Sequence, residues 1–500
     1  MKRVHIVQPS VKAGKNFVTQ HSVQAMSGVL FVLAIGFATA AALAQQPDRD
    51  RGRDAGPQGL DPGPRAGFVA TGDKTYPNNP GNPIQGLTPE QLAFFANGLS
   101  QFTQVDGVAV TSPDNGGLGP TFNNDSCGGC HSQPATGGTS PSMNAFPNVG
   151  PNPQFTAGHV AGGTNTIPFF VTADGPIREA RFKSDGGVHD LFTVQGRTDT
   201  PTPNNCTLTQ PDFAAEAARG NLSFRIPTPT FGTGLIENIS DATILANLAA
   251  SASRQLGISG VPNRSGNDGS ITRFGWKAQN KSLLLFAGEA YNVEMGVTNE
   301  LFPEERGYPP NPVPPSCLFN PTPEDRTIFE AATAVGVSSD IEAFADFMRF
   351  LDQPAPACTG TGCSQPIQSG RAIFVNLGCA NCHTPSMTTS TNPTPTSAQP
   401  LTALSGIHAN LFSDLALHHM GSGLADGISQ GSAGPDQFRT APLWGVGQRV
   451  FFLHDGRASN LLQAIREHAS PGSEANQVIQ NYYQLSLQEK QNLILFLRSL

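Results

Sequence analysis

Cys127-Gly-Gly-Cys130-His131 and Cys379-Ala-Asn-Cys382-His383 are two copies of one pentapeptide pattern in a chain with only 8 cysteines. Two thiols one turn apart, followed directly by an imidazole, can add to the two vinyl groups of one porphyrin and hold the His beneath its iron, the arrangement of a covalent c-type haem. A zinc ribbon would want a second Cys-x-x-Cys within about twenty residues, and neither copy has one. The residue types therefore predict a di-haem redox protein. Cys127, Cys130, His131, Cys379, Cys382 and His383 would bind two covalently attached haem c groups, with His131 and His383 as axial iron ligands.

A haem that only passes electrons usually has a second axial ligand, and Met raises its potential relative to His. Met387 follows His383 too closely to reach the opposite face of the ring. Met420, in His418-His419-Met420-Gly421-Ser-Gly423, is far enough away, and its flanking glycines let the loop approach the porphyrin. Met420 is thus the expected distal ligand of the second haem, with His418 or His419 as the competitor. After the first motif come Met143, His159 and His189, none in a comparable setting, so the first haem is expected to keep an open or labile position. An open iron can bind peroxide or dioxygen, whereas a saturated one carries electrons.

The elements that must position these groups are also legible. Thr88, with Glu90 and Gln91 behind it, can cap a helix over residues 87–102 whose apolar face is Leu92, Phe94, Phe95 and Leu99. Ser339-Asp-Ile-Glu342 opens a helix carrying Ile341, Phe344, Phe347, Met348 and Leu351, which Pro354 stops. Ser486-Leu-Gln-Glu489 repeats the design, with Leu493, Phe496, Leu497 and Leu500. A second echo joins Phe224-Arg225 and Pro229-Thr-Phe231-Gly232-Thr-Gly234 to Phe438-Arg439 and Pro442-Leu-Trp444-Gly445-Val-Gly447. Each is followed by a basic-Ala and a Leu-Leu pair, Lys277-Ala278 with Leu283-Leu284 and Arg457-Ala458 with Leu461-Leu462. These read as two diverged copies of one haem-binding unit. Arg225 and Arg439, in the repeated segment, are candidates to bind haem propionates or to form structural ion pairs, and Trp444 to pack on a haem.

The fold class expected is mainly α: two cytochrome c-like haem domains with loop-rich insertions and a small β element within residues 167–192. The 54 glycines and 42 prolines fit such a loop-rich chain. Residues 1–44 read as a signal peptide, with Lys2, Arg3, Lys12 and Lys15 ahead of the apolar run 29–44 and a small-x-small site at Ala42-Leu43-Ala44. Residues 45–83 would be a disordered lead-in, 84–357 the N-terminal domain with haem 1 and 364–500 the C-terminal domain with haem 2. Cleavage would remove four basic residues and no acidic one, taking the formal charge from −8 to −12 and arguing against a nucleic-acid partner. It would also leave no membrane span. Four cysteines remain outside the haem motifs. Cys358 and Cys363 bracket a Thr-Gly-rich turn and are expected to pair, leaving Cys206 with Cys317 by elimination.

Several segments together resemble the di-haem oxidoreductase family, peroxidases and thiol oxidoreductases of the bacterial di-haem cytochrome c peroxidase superfamily. They are Gly117 to His131, Phe274-Gly-Trp276-Lys-Ala-Gln279, Glu294-Met295-Gly-Val-Thr-Asn299, the Met420 loop and Phe452-Leu-His454-Asp455-Gly456-Arg457-Ala458. The resemblance implies a Trp between the haems, a Glu over a peroxidatic N-terminal haem and a Met-ligated C-terminal haem that feeds electrons. By motif these are Trp276 and Glu294, the candidate catalytic residues, with Glu294 moving the proton of a bound peroxide. One departure stands out, because the family's Trp-Asp-Gly-Arg-Ala stretch is Trp276-Lys277-Ala278 here. Another is that neither His159 nor His189 stands at the short distance after the first motif where those peroxidases place a displaceable His.

The resemblance also implies export, since c-type haem is attached outside the bacterial cytoplasm, and it admits calcium as a further cofactor. The leading expectation is an exported, periplasmic, peroxidase-like oxidoreductase. Its partners would be an electron-donor protein or small redox carrier and a peroxide or oxygen species. A non-catalytic electron-transfer cytochrome and an oxygenase or thiol-oxidising relative are the alternatives.

Overall fold

Helix-starting side chains set the frame. In the computed structural model, which describes residues 60–64, 81–109, 116–141, 152–201, 203–250, 256–308, 312–391 and 401–500, Thr88 and Gln91 cap one another reciprocally. They start α1 (Pro89–Thr103). The expected signal peptide, most of the lead-in and Met143 lie outside the described residues. Helix α2 (Leu283–Glu294) starts from Ser282, whose hydroxyl accepts from the Leu285 N–H. Helix α3 (Asp340–Phe350) starts where Glu342 accepts from the Ser339 N–H at 3.1 Å. Helix α4 (Gln365–Leu377) follows, then α5 (Leu461–Glu467) capped by Asn460, α6 (Asn476–Tyr483) and α7 (Leu487–Ser499) capped by Ser486. The fold is mainly helical, and among the described residues no helix is long and apolar enough to cross a membrane.

Two helix crossings organise it, α1 on α3 and α4 on α7, and both require glycine. A Cβ on Gly98 would lie 2.1 Å from the Ala343 carbonyl oxygen, and one on Gly370 would lie 2.0 Å from that of Asn492. Only a hydrogen lets the backbones come this close. The buried face of α1 is Gln91, Phe95, Gly98 and Phe102, so the sequence expectation is corrected at Leu92, which is 42% exposed. The glycine, invisible to a hydrophobicity pattern, rotates the contact face away from Leu92. The other two helices bury the residues expected of them, Ile341, Phe344, Phe347, Met348 and Leu351 in one case and Leu493, Phe496, Leu497 and Leu500 in the other.

The strands form antiparallel pairs: β1 (Thr121–Phe122) with β3 (Phe192–Thr193), β2 (Glu179–Phe182) with β4 (Leu222–Arg225), β5 (Met387–Thr388) with β6 (His408–Ala409), and β7 (Leu417–His419) with β8 (Gln437–Arg439). The β element expected over 167–192 is therefore confined to its C-terminal part. Phe169-Phe170-Val171 forms a turn in which Phe170 meets Phe213 edge-on and Phe224 at a tilt.

The repeated segments fold alike. Phe224-Arg225 ends β4 and Phe438-Arg439 ends β8. Gly232 and Gly445 both take left-handed φ, 64° and 69°. Gly234 abuts the Arg349 carbonyl at the end of α3, and Gly447 abuts the Arg498 carbonyl at the end of α7. One hydrophobic core surrounds α1, α2 and α3 and a second surrounds α4 to α7, while Leu404 and Trp444 join the first and Ile258 the second. Both disulfides form as expected, Cys206–Cys317 and Cys358–Cys363.

Candidate functional site

Gly378, at φ 100°, ends α4 and delivers Cys379 immediately after it. Cys379, Cys382 and His383 line a cavity of about 230 Å³ with Met420, and most of the remaining wall is apolar, including Phe374, Leu461, Val478 and Leu493. The His383 Nδ1–H donates to the Phe412 carbonyl at 2.9 Å, leaving Nε2 as the nitrogen with a lone pair. Burial pushes His383 down to about 4, so the ring is neutral, the form a metal takes. Met420 is pinned through its backbone: its N–H donates to the Asp436 carbonyl at 2.8 Å and its carbonyl accepts from Ser470 Oγ at 3.1 Å. The competing histidines are both engaged. His418 bonds Asp414 and Glu474, and although burial opposes its charge, those bonds and Cys382 hold it well above the usual imidazole range. His419 is exposed and pairs with Asp436.

Two buried guanidiniums complete this wall. Arg439 Nε donates to the Gly275 carbonyl at 3.0 Å, and Arg449 Nη2 donates to the carbonyls of Pro442 and Trp444 at 3.0 and 3.3 Å. Neither is drawn into an ion pair among the described residues, and burial lowers both to about 10. A buried cation with only carbonyl partners calls for an anion, and porphyrin propionates are anions. Arg449 escaped the sequence reading because it lies beyond the repeated segment. Trp444, expected to pack on a haem, instead presses against Gly232 where the two copies of that segment meet.

The other cavity, about 90 Å³, is lined by Cys127, Cys130, Glu294, Trp276 and Arg225. His131 sits buried behind it, edge-on to Phe102, with Nδ1 bonded to the Gly138 carbonyl at 3.1 Å; burial lowers it to about 4. Glu294 is the last residue of α2 and its carbonyl accepts the Asn123 N–H at 2.7 Å. Gly296 then turns the chain at φ 73°, where a Cβ would strike the Thr121 carbonyl. Burial first, then the Glu179 and Glu289 charges, push Glu294 up to about 8. His159 is exposed, His189 stacks on Phe182 and pairs with Asp185, and neither lines the cavity. Of the described residues that do, none is His, and the one thioether, Met295, has its Sδ 3.7 Å from Cys127 Sγ.

Trp276 lines both cavities, with Nε1 donating to the Ile226 carbonyl at 2.9 Å. Its neighbour Lys277 is buried and donates to the carbonyls of Gly434 and Gln437, each at 2.9 Å, and pairs with Asp426 at 3.1 Å. The basic residue that follows Trp276 is thus matched by the carboxylate of Asp426. Arg225 pairs with the same Asp426 at 2.8 Å and with Gln430, so this guanidinium is committed to a structural ion pair, with only Nε left unpartnered. Arg178, missed in the sequence, lines the cavity with its guanidinium over the Phe224 ring and hydrogen bonds to the carbonyls of Phe170 and Asp455.

The donor set fits a porphyrin in each cavity. The four cysteines outside disulfides are those of the two motifs. Burial pushes the Cys379 thiol up to about 12, whereas a redox dithiol has a lowered value. Among the described residues no group of three or more His, Cys, Asp or Glu is placed to hold a metal ion such as zinc.

Residues 189–500 match the family described as "Di-haem oxidoreductase, putative peroxidase". No curated protein matches the chain. Among solved structures, a MauG-like protein associated with microbial copper homeostasis is 17% identical over 34% of this chain, with a TM-score of 0.23. The match spans about half of that protein, 55%. Kuenenia stuttgartiensis hydrazine synthase, pressurised with xenon, is 15% identical over 55% of this chain and 88% of its own, with a TM-score of 0.26.

Proposed function

The chain belongs to the di-haem oxidoreductase family, and from that premise we propose that it is an exported c-type cytochrome with peroxidase-like activity. Cys127 and Cys130 would hold one haem with His131 as its ligand, and Cys379 and Cys382 the other with His383 and Met420. Bound there, the haems would supply one-electron chemistry for the reduction of a peroxide, the C-terminal site serving as the electron entry and the N-terminal site as the place of reaction. The observation that carries this reading is the asymmetry of two cavities sharing Trp276 as a wall: Met420 faces one, Glu294 the other.

Arg439 and Arg449 would orient the second haem through its propionates, and Arg178 the first. Glu294 would accept the proton of a bound peroxide and return it to the leaving oxygen. A value of about 8 keeps it close enough to neutrality to work in both directions. Trp276 would couple the cavities, and apolar walls would keep water from the C-terminal iron. An electron-donor protein or small carrier would complete the cycle outside the cytoplasm.

The deciding experiment is absorption and low-temperature EPR spectroscopy of the oxidised, haem-loaded protein and of Met420→Ala, followed by peroxide turnover of Glu294→Gln. A high-spin signal beside a low-spin one altered by Met420→Ala is the expected result. Two low-spin haems unchanged on partial reduction would leave an electron carrier instead.

A further inference from the structure

His418 lines the same cavity as His383 and Met420, yet both of its ring nitrogens face carboxylates, Nδ1 with Glu474 Oε2 at 2.8 Å and Nε2 with Asp414 Oδ2 at 2.9 Å. With a carboxylate oxygen at hydrogen-bond distance from each ring nitrogen, neither nitrogen is free for iron. The ring is 3% exposed and lies two residues before Met420 on β7, with Nδ1 3.6 Å from the Cys382 Sγ.

Its partners join four separate stretches of chain. The Asp414 N–H donates to the Cys382 carbonyl at 2.8 Å, tying that carboxylate to the haem motif. Glu474 accepts the Ser259 N–H at 2.8 Å and the His419 N–H at 3.2 Å, and its own N–H donates to the His419 carbonyl at 2.9 Å. The backbone at Gly260 abuts the imidazole so closely that a Cβ would lie 2.5 Å from its Cε1, and Val261 bridges to Leu417. Ile258, in the same segment, lines the cavity. Strand β7 itself is only three residues long, and beyond it the Met420 backbone is held by its bonds to Asp436 and Ser470, to which the His418 clamp adds a side-chain brace on the cavity side.

We infer that His418 is a positioning residue for the Met420 sulfur: clamped between Asp414 and Glu474, it fixes the strand that carries Met420 against the Cys379–His383 motif. The inference rests on Met420 being the axial ligand. Without the two N–H bonds, Asp414 and Glu474 would face one another across the gap and repel, and the strand would lose its cross-brace.

The test uses His418→Phe in the haem-loaded protein, read by the methionine-to-ferric-iron charge-transfer absorption and by the midpoint potential of the C-terminal haem. The expected result is loss of more than half of that absorption and a lower potential at unchanged haem content, with His418→Gln, which keeps one donor, intermediate. An absorption and potential equal to the parent's overturns the inference. If His418→Phe does not load haem, Glu474→Gln replaces it; it removes one charged partner and is expected to shift both readouts the same way, and no shift overturns the inference. Met420→Ala separates the two failures. If it abolishes the absorption while His418→Phe does not, only the role of His418 falls; if it leaves the absorption intact, the ligand assignment falls and the inference with it.

Discussion

The indole of Trp276 stands edge-on to the imidazole of His454, with ring centroids 6.4 Å apart at 74°. The two residues hold the same place in matching loops. Phe274 bridges to Asn280 around one and Phe452 to Ala458 around the other, and both loops take left-handed φ at their second and fifth residues: Gly275 and Ala278, Leu453 and Gly456. Each loop is held by the other copy of the repeat. The Trp276 carbonyl accepts from the Arg439 N–H at 2.9 Å, and the His454 carbonyl from the Ile226 N–H at 2.8 Å. Trp276 is thereby clamped where both cavities reach it.

Trp276→Phe should cost only about 0.5–1.5 kcal/mol of stability, the net worth of the lost bond to the Ile226 carbonyl. Its larger effect should be slower electron equilibration between the two haems, followed by absorption after rapid partial reduction. An unchanged rate would remove Trp276 from the route.

Glu294→Gln should lower peroxide turnover by about 10²- to 10⁴-fold, the usual worth of a positioned acid-base group, with haem content unchanged. Because Glu294 is pushed up to about 8, parent turnover should rise with pH toward that value. Gln at this position should abolish the rise, and a profile that keeps it would assign the titration to another group.

The same shift has a consequence for folding. The ordinary value of 4.5 applies to the unfolded chain and about 8 to the folded one, so the folded state holds the extra proton between them. Its contribution is therefore fully present below about 4.5 and is lost as pH rises through about 8. Denaturant titrations of parent and Glu294→Gln should diverge across that window, the variant being relatively more stable at the alkaline end. Parallel curves would mean that Glu294 is solvated.

Asp426→Ala should destabilise by about 3–5 kcal/mol, because it strands Lys277 and Arg225 as buried cations without their carboxylate. Thermal melting would show it. A loss below about 1 kcal/mol would place the pair in the class of exposed salt bridges.

Gly370→Val should cost at least about 1–3 kcal/mol by overpacking, since the added Cβ would meet the Asn492 carbonyl at 2.0 Å and force α4 off α7. Haem loading at Cys379 and Cys382 should fall with it, as α4 runs directly into that motif. Retention of parental melting temperature and haem content would show that the crossing can relax.

The two Cys-x-x-Cys-His motifs were legible because the chemistry proposed for them, covalent attachment and iron ligation, would demand fixed residue types at fixed local spacing. So were the capped helices, both disulfides and the repeated Phe-Arg and Pro-x-aromatic-Gly-x-Gly segments, whereas the basic-Ala pairs are two residues out of register, Lys277 standing at the place of Asp455 rather than Arg457. Capping and turn chemistry act within a few residues, and the disulfides followed from a short turn and elimination. What the sequence could not reveal depends on approach between distant stretches. Leu92 turned outward because Gly98 chose the contact face of α1. Arg225 found Asp426, while the hydrogen bonds of Arg449 and Arg178 go to carbonyls beside the cavities. Trp276 became a shared wall only because each loop is hydrogen-bonded to the opposite copy of the repeat. Local spacing fixes which groups can do chemistry; burial and long-range pairing, which depend on how the backbones close on one another, decided which of them face the same space and in what charge state.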